Sequence, residues 1–262
     1  MRQHNKPFVQ QHRPKKNLLI AGISSVIAAM NAGQQLERIY LQTTINSPEA
    51  EELRSVAEKF GTPVNKVPFE KLRNFNLENH NGCIAVKSKI QYQDLQAVIS
   101  LIVESGEIPL LLLLDGITDI RNIGAISRTA FCCGVHAIVI PEKGVGALNE
   151  DAIATSAGAL ENIAVCRVKS LLNAIDEMHL NGIKVFASEL AAGVNVYDID
   201  FREPCAIILG SEDKGIQPVL YKACDDRFKI PMQNNFESLN VSVAAGIILY
   251  EAMKQRMLPL VH

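Results

Sequence analysis

Through the second half of this chain run six short, almost unbroken apolar segments, each separated from the next by a helical stretch. The apolar segments are Leu110–Leu114, Ala137–Ile140, Ile163–Val168, Ile183–Ala187, Ala206–Leu209 and Phe228–Ile230. Helical patterns fall near Ile123–Cys133, Asp151–Leu160, Leu171–Asn181, Ile216–Cys224 and Ser238–Arg256. A strand with water on one side alternates apolar and polar residues, whereas a strand apolar throughout needs cover on both faces. The pattern therefore predicts an α/β fold, a parallel sheet between two layers of helices. Ligands of such sheets bind beyond the carboxyl ends of the strands, so the loops that follow strands are where chemistry is expected.

The first third reads differently. Residues 1–16 are polar and basic and read as a disordered tail. Residues 17–90 read as a small α/β domain. Within it, Gly22–Met30 is helical, Arg38–Gln42 a strand, Val64–Val67 and Cys83–Lys87 two more. A helix opens at Ser47-Pro48 and runs to about Phe60, stopped by Gly61, with Pro just inside its start and Gly just past its end. Tyr92 to Glu104 carries Leu95, Val98, Ile99, Ile102 and Val103 as one helical stripe, so residues 91–107 are expected to form a connector helix. The second domain is then 108–262.

Several function classes lose support. The longest apolar run, Ile108 to Leu114, is far short of the roughly 20 residues that span a bilayer. The N-terminus lacks the apolar stretch of a secretion signal. A cytoplasmic protein without membrane insertion is the expectation. The six cysteines are scattered with no C-x-x-C pair, so free thiols in a reducing compartment are expected rather than a disulfide framework or structural zinc. Arg2, Lys6, Arg13, Lys15 and Lys16 precede the first acidic residue, Glu37, while the whole chain carries a net charge of −2. Such a tail suits a polyanion, but equally a solvated end.

Three loops after strands concentrate polar residues. They are Asp115 to Arg128, Leu209 to Gly215, and Ile230 to Asn240. No G-x-G-x-x-G, P-loop or G-x-S-x-G pattern is present, which removes the strongest signs of dinucleotide binding, nucleotide hydrolysis and serine hydrolysis. Singly, each loop has a plain structural reading: Gly210 and Gly215 permit a turn, Ser238 caps the last helix, Asp115 ends a strand.

Together they resemble the three signature motifs of the SpoU (TrmH-like) RNA 2′-O-ribose methyltransferases of the SPOUT superfamily. The first motif matches Asn122-Ile-Gly124 followed by Arg128-Thr-Ala130. The second matches Gly210-Ser-Glu212-Asp-Lys-Gly215. The third matches Ile230-Pro-Met232 and Ser238-Leu-Asn240-Val-Ser-Val-Ala244. Gly22-Ile-Ser-Ser-Val and the strand from Gly82 resemble the ribosomal-protein-like substrate-binding domain of these enzymes. Likeness is greatest to the bacterial 23S rRNA guanosine branch. Two positions depart from the family pattern: Ile120-Arg121 stand where a Pro is frequent, and Asn234 where a Gly is usual.

The resemblance implies a trefoil knot in the C-terminal segment, a homodimer, no metal, and S-adenosylmethionine as methyl donor. It places Leu209, Gly210, Ile230, Met232 and Leu239 at the cofactor, and Arg128, Asn122, Glu212, Ser238 and Asn240 at the catalytic centre. The implied substrate is structured RNA, rRNA before tRNA. Arginine keeps its proton almost everywhere, so Arg128 is read as a phosphate ligand that lowers the hydroxyl's pKa, with direct proton abstraction left open. Two rival readings are a non-catalytic RNA-binding or ribosome-assembly protein on the same fold and a small-molecule α/β enzyme. The first would not need all five polar residues, and the second leaves the N-terminal domain unexplained.

Overall fold

A computed structural model describes residues 18–146, 148–233 and 238–257. The expected basic tail lies outside the described residues. In chain order the elements are β1 (Leu19–Ala21), α1 (Ile23–Asn31), β2 (Leu36–Gln42), α2 (Pro48–Lys59), β3 (Val64–Val67), α3 (Phe69–Arg73), β4 (Cys83–Lys87), β5 (Tyr92–Gln93) and α4 (Leu95–Glu104). They continue as β6 (Leu110–Asp115), α5 (Ile120–Cys132), β7 (Ala137–Pro141), α6 (Glu150–Thr155), β8 (Ala164–Val168), α7 (Leu171–Leu180) and β9 (Lys184–Ser188). Last come β10 (Val194–Asn195), β11 (Cys205–Gly210), α8 (Pro218–Ala223), β12 (Asp226–Lys229) and α9 (Val241–Met257).

The second half forms a parallel sheet in the order β10-β12-β9-β11-β6-β7-β8-β5. Its logic is plainest in β6, where every residue is buried. Leu110, Leu112 and Leu114 point into one apolar cluster with Ile123, Ile126 and Ile248, while Leu111 and Leu113 point into the other with Ile99, Ile175 and Leu220. Successive side chains leave opposite faces of a strand, so an unbroken leucine run feeds two cores at once. The first half forms a separate mixed sheet, β1-β4-β2-β3, covered by α1 and α2.

Four sequence expectations need correction. Tyr92 and Gln93 are not the first turn of a helix. They pair with Val165 and Cys166 as the edge strand of the large sheet, and Asp94 caps α4 through Ala97 N. The helix expected over Asp151–Leu160 stops at Thr155, because Ala157 (φ 51°) and Gly158 (φ 84°) are left-handed; a short 3-10 turn follows. The last helix begins at Val241, so Ser238 is not its cap. Asn240 takes that place, its Oδ1 accepting from Ser242 N at 2.9 Å. Asn122 belongs to the first turn of α5 rather than to a loop.

Candidate functional site

The register of the sheet brings two motif segments together before any side chain is considered. Gly210, the last residue of β11, pairs with Asp115, the last residue of β6. Asp115 is a carboxylate only 2% exposed, at the end of an otherwise apolar strand. It accepts two hydrogen bonds from Gln217, from the backbone N at 2.8 Å and from Nε2 at 2.7 Å. This clasp ties the far end of the 210–217 loop back to the neighbouring strand. A buried carboxylate without such donors would be costly. Neither the pairing nor Gln217 was visible in the motifs.

The loop itself is tight. Gly215 N donates to Ser211 O at 2.8 Å and Lys214 N to Ser211 Oγ at 3.2 Å. Gly215 has φ +65°, a conformation that suits glycine. A Cβ on Gly210 would lie 2.2 Å from the Gly215 carbonyl carbon and 2.3 Å from Ile216 N. Both motif glycines are therefore required by the backbone, one for its dihedral and one for close approach. Gly124 has a packing reason too: a Cβ there would lie 2.6 Å from Thr155 Cβ, so it lets α5 lie against α6.

Across these loops the three motifs meet in one hydrogen-bonded group. Oε1 of Glu212 accepts from Asn240 Nδ2 at 2.6 Å, from Val241 N at 3.1 Å and from Asn122 Nδ2 at 3.4 Å. Asn240 Nδ2 also donates to Asn122 Oδ1 at 3.1 Å. The carboxylate thus sits on the first amide of α9, where the partial positive charge of a helix N-terminus favours an anion. Asn122 reaches it from the first turn of α5, a helix packed along α9. One carboxylate oxygen joins residues ninety and twenty-eight positions apart in sequence.

The other expected catalytic residues stand outside this group. Arg128 is exposed and lies six residues along α5 from Asn122, about 1.7 turns and about 9 Å by helical rise. Ser238 is exposed. Arg121 is paired with the α5 cap Asp119, at 3.2 Å, so its charge is met locally rather than offered to the site. That hydrogen bond holds the Asp119 carboxyl below its usual range.

Of the expected cofactor residues, Leu209 is buried in β11 and Gly210 ends that strand. Ile230, Met232 and Leu239 are half-buried, in the segment that follows β12. Asn234 lies outside the described residues. Four of the six thiols are buried, while Cys132 is exposed and Cys224 half-buried; burial pushes Cys83 and Cys166 up to about 12 and Cys205 to about 11. No group of three or more His, Cys, Asp or Glu side chains is arranged for a metal among the described residues. Nor is any helix there long and apolar enough to cross a membrane.

Against known proteins, residues 109–250 match the SpoU rRNA methylase family and residues 19–93 match an RNA 2′-O ribose methyltransferase substrate-binding domain. The chain is 32% identical over 241 residues to the 23S rRNA (guanosine-2′-O-)-methyltransferase RlmB of Coxiella burnetii, covering 92% of this chain and 96% of that one. The solved SpoU methyltransferase AviRb of Streptomyces viridochromogenes, in complex with AdoMet, has the same fold at a TM-score of 0.58 and 24% identity, over 91% of this chain and 90% of that one. A TrmH/SpoU tRNA modifying enzyme of A. aeolicus superposes at a TM-score of 0.51 with 28% identity, over 62% of this chain and 84% of that one. Three motifs tied into one group at the strand ends, on a sheet of this topology and with a family match across most of its length, lead to one conclusion: the chain belongs to the SpoU rRNA methylase family.

Proposed function

We propose that this protein transfers a methyl group from S-adenosylmethionine to a ribose 2′-hydroxyl of structured RNA, 23S rRNA before tRNA. The observation that carries the reading is the Asn122–Glu212–Asn240 group, which joins all three motifs where α/β sheets bind their ligands. The likeness to RlmB supports both the 2′-oxygen and the ribosomal substrate. The likeness to a tRNA modifying enzyme keeps tRNA as the second substrate.

When bound, S-adenosylmethionine supplies an electrophilic methyl on a sulfonium centre. The residues present suit such a group. Backbone at Leu209, Gly210 and Ile230 lies at strand ends, Met232 and Leu239 offer apolar surface, and among the described residues no cationic side chain takes part in the Glu212 cluster. Glu212, Asn122 and Asn240 hold the three loops in register, so that the reacting atoms meet in line. Arg128, exposed on α5, binds the phosphate beside the target ribose and stabilises the oxyanion that forms as the hydroxyl passes its proton to solvent water.

The homodimer and the knot belong to the same reading. Val243, Ile247 and Tyr250 leave α9 exposed on one side, and with Tyr197, Ile230 and Pro231 they line a largely apolar cavity of about 730 Å³. Apolar surface next to the third motif suits a second copy of the chain in a cytoplasmic enzyme. Return of α9 from β12 to pack on α5 suits a knotted C-terminus. Incubation with S-adenosylmethionine and unmodified transcripts of 23S rRNA and of tRNA, with mapping of the methylated nucleotide, tests the substrate. Transfer to tRNA alone would make tRNA, not 23S rRNA, the substrate. Light scattering of Ile247→Asp, expected to be a monomer where the wild type is a dimer, tests the interface.

A further inference from the structure

Glu37 is an acidic residue buried between the two sheets, and three separate segments converge on its carboxylate. Its side chain and that of Arg167 are each 7% exposed, and Arg167 Nη2 stands 2.9 Å from Glu37 Oε2. The phenol of Tyr92 donates to the same oxygen, and Leu148 N donates to Oε1 at 3.2 Å. The Arg167 guanidinium lies 3.5 Å over the Tyr92 ring, and its Nη1 donates to the carbonyls of Leu36 and Glu37. Beside it, Gln35 pairs with the Tyr92 backbone, Nε2 donating to the carbonyl and Oε1 accepting from the amide. Burial, and then the charge of Glu37, push the Tyr92 phenol well above its usual value, so it stays a donor.

The geography gives this network its meaning. Glu37 belongs to β2 in the centre of the small sheet, whereas Tyr92 and Arg167 sit on β5 and β8, the last two strands at one edge of the large sheet. A tethered module that swings freely needs no buried charge. A buried charge pair gains little stability over an apolar pair, and its best-attested use is to hold one geometry against others. The network also reaches toward the site. Two residues before Leu148, Gly146 N donates to Ile117 O at 3.1 Å, and a Cβ on Gly146 would lie 2.6 Å from Thr118 O. Ile117 and Thr118 lead into Asp119, the cap of the helix that carries Asn122 and Arg128.

We infer that Glu37 and Arg167 are positioning residues for methyl transfer, locking the RNA-holding first half at one distance and angle from the Asn122–Glu212–Asn240 group. This inference rests on the proposed RNA 2′-O-methylation. The nucleotide is then selected by a fixed spacing: a folded RNA rigid enough to touch both halves presents one ribose to the site.

The test compares wild type with Glu37→Ala and with the double variant Glu37→Leu/Arg167→Met, which removes both charges and leaves none buried alone. Amide exchange at Tyr92 and Leu148 reads the lock itself, and both amides are expected to exchange at least tenfold faster in the variants. On an unmodified 23S rRNA transcript, wild type labels one nucleotide. The double variant is expected to lose at least tenfold in kcat/KM and to spread label to neighbouring nucleotides, while S-adenosylmethionine Kd stays within twofold. Loss of rate with the single labelled nucleotide retained would mean a merely structural role, and would overturn the inference. Unchanged exchange at both amides would overturn it as well. Wild type that methylates neither rRNA nor tRNA removes the function on which the inference rests; faster exchange in the variants would still show the lock, so the two failures are distinct.

Discussion

Replacing Gly210 with alanine asks whether the 210–217 loop must keep its shape. The added Cβ would meet the Gly215 carbonyl carbon at 2.2 Å, where ordinary contact begins at 3.4 Å. Both neighbours are backbone, so no side-chain rotation relieves the overlap; the loop has to move by about 1.2 Å. Overpacking of this kind costs about 1–3 kcal/mol. That is tolerable for the fold, because the strain falls at a strand end rather than within the core. The site is less forgiving, since a displacement of about 1 Å from productive geometry costs roughly 100-fold in rate. Thermal unfolding together with single-turnover methyl transfer separates the two effects. The expected result is a small fall in Tm, weakened S-adenosylmethionine binding, and a rate reduced roughly 100-fold. Gly210→Ala with wild-type affinity and rate would refute the claim that close approach at Gly210 shapes the site.

Further outcomes follow from the same geometry. Glu212→Ala removes the acceptor shared by Asn122, Asn240 and Val241, and should cost about 1–2 kcal/mol, discounted because the group is open to water. Glu212→Gln keeps an acceptor and should lose less in both unfolding and transfer assays; equal losses would assign the effect to charge alone. Iodoacetamide at pH 8 should modify exposed Cys132 well before Cys83, Cys166 and Cys205, whose buried thiols stay protonated there, as read by peptide mass spectrometry.

Much of the large sheet was legible because β6 admits few alternatives: five consecutive leucines beside short apolar runs and helices leave little but a doubly covered parallel strand. The motifs were legible as spacing, and the structure gives physical reasons for Gly124, Gly210 and Gly215. Other features carried no local signal. Tyr92–Gln93 is two residues long and polar, so its strand pairing depends on β8, seventy-three residues away. The burial of Glu37 depends on Arg167 and Leu148, which no periodicity connects to it. By residue type Ser238 and Asn240 are equally good caps. Asn240 holds the helix start, because its amide group also reaches Asn122 and Glu212. Asp115 reads as a strand end, and its part in holding the second motif emerges only with Gln217 beside it.

The most direct test of the proposed reaction is transfer of radiolabelled methyl from S-adenosylmethionine to unmodified total RNA by wild type and Arg128→Ala, followed by digestion to nucleosides. A labelled 2′-O-methylnucleoside is expected from wild type and none from Arg128→Ala, with cofactor binding retained in both. Label on a base rather than a ribose, or equal transfer by the two proteins, would contradict the assignment.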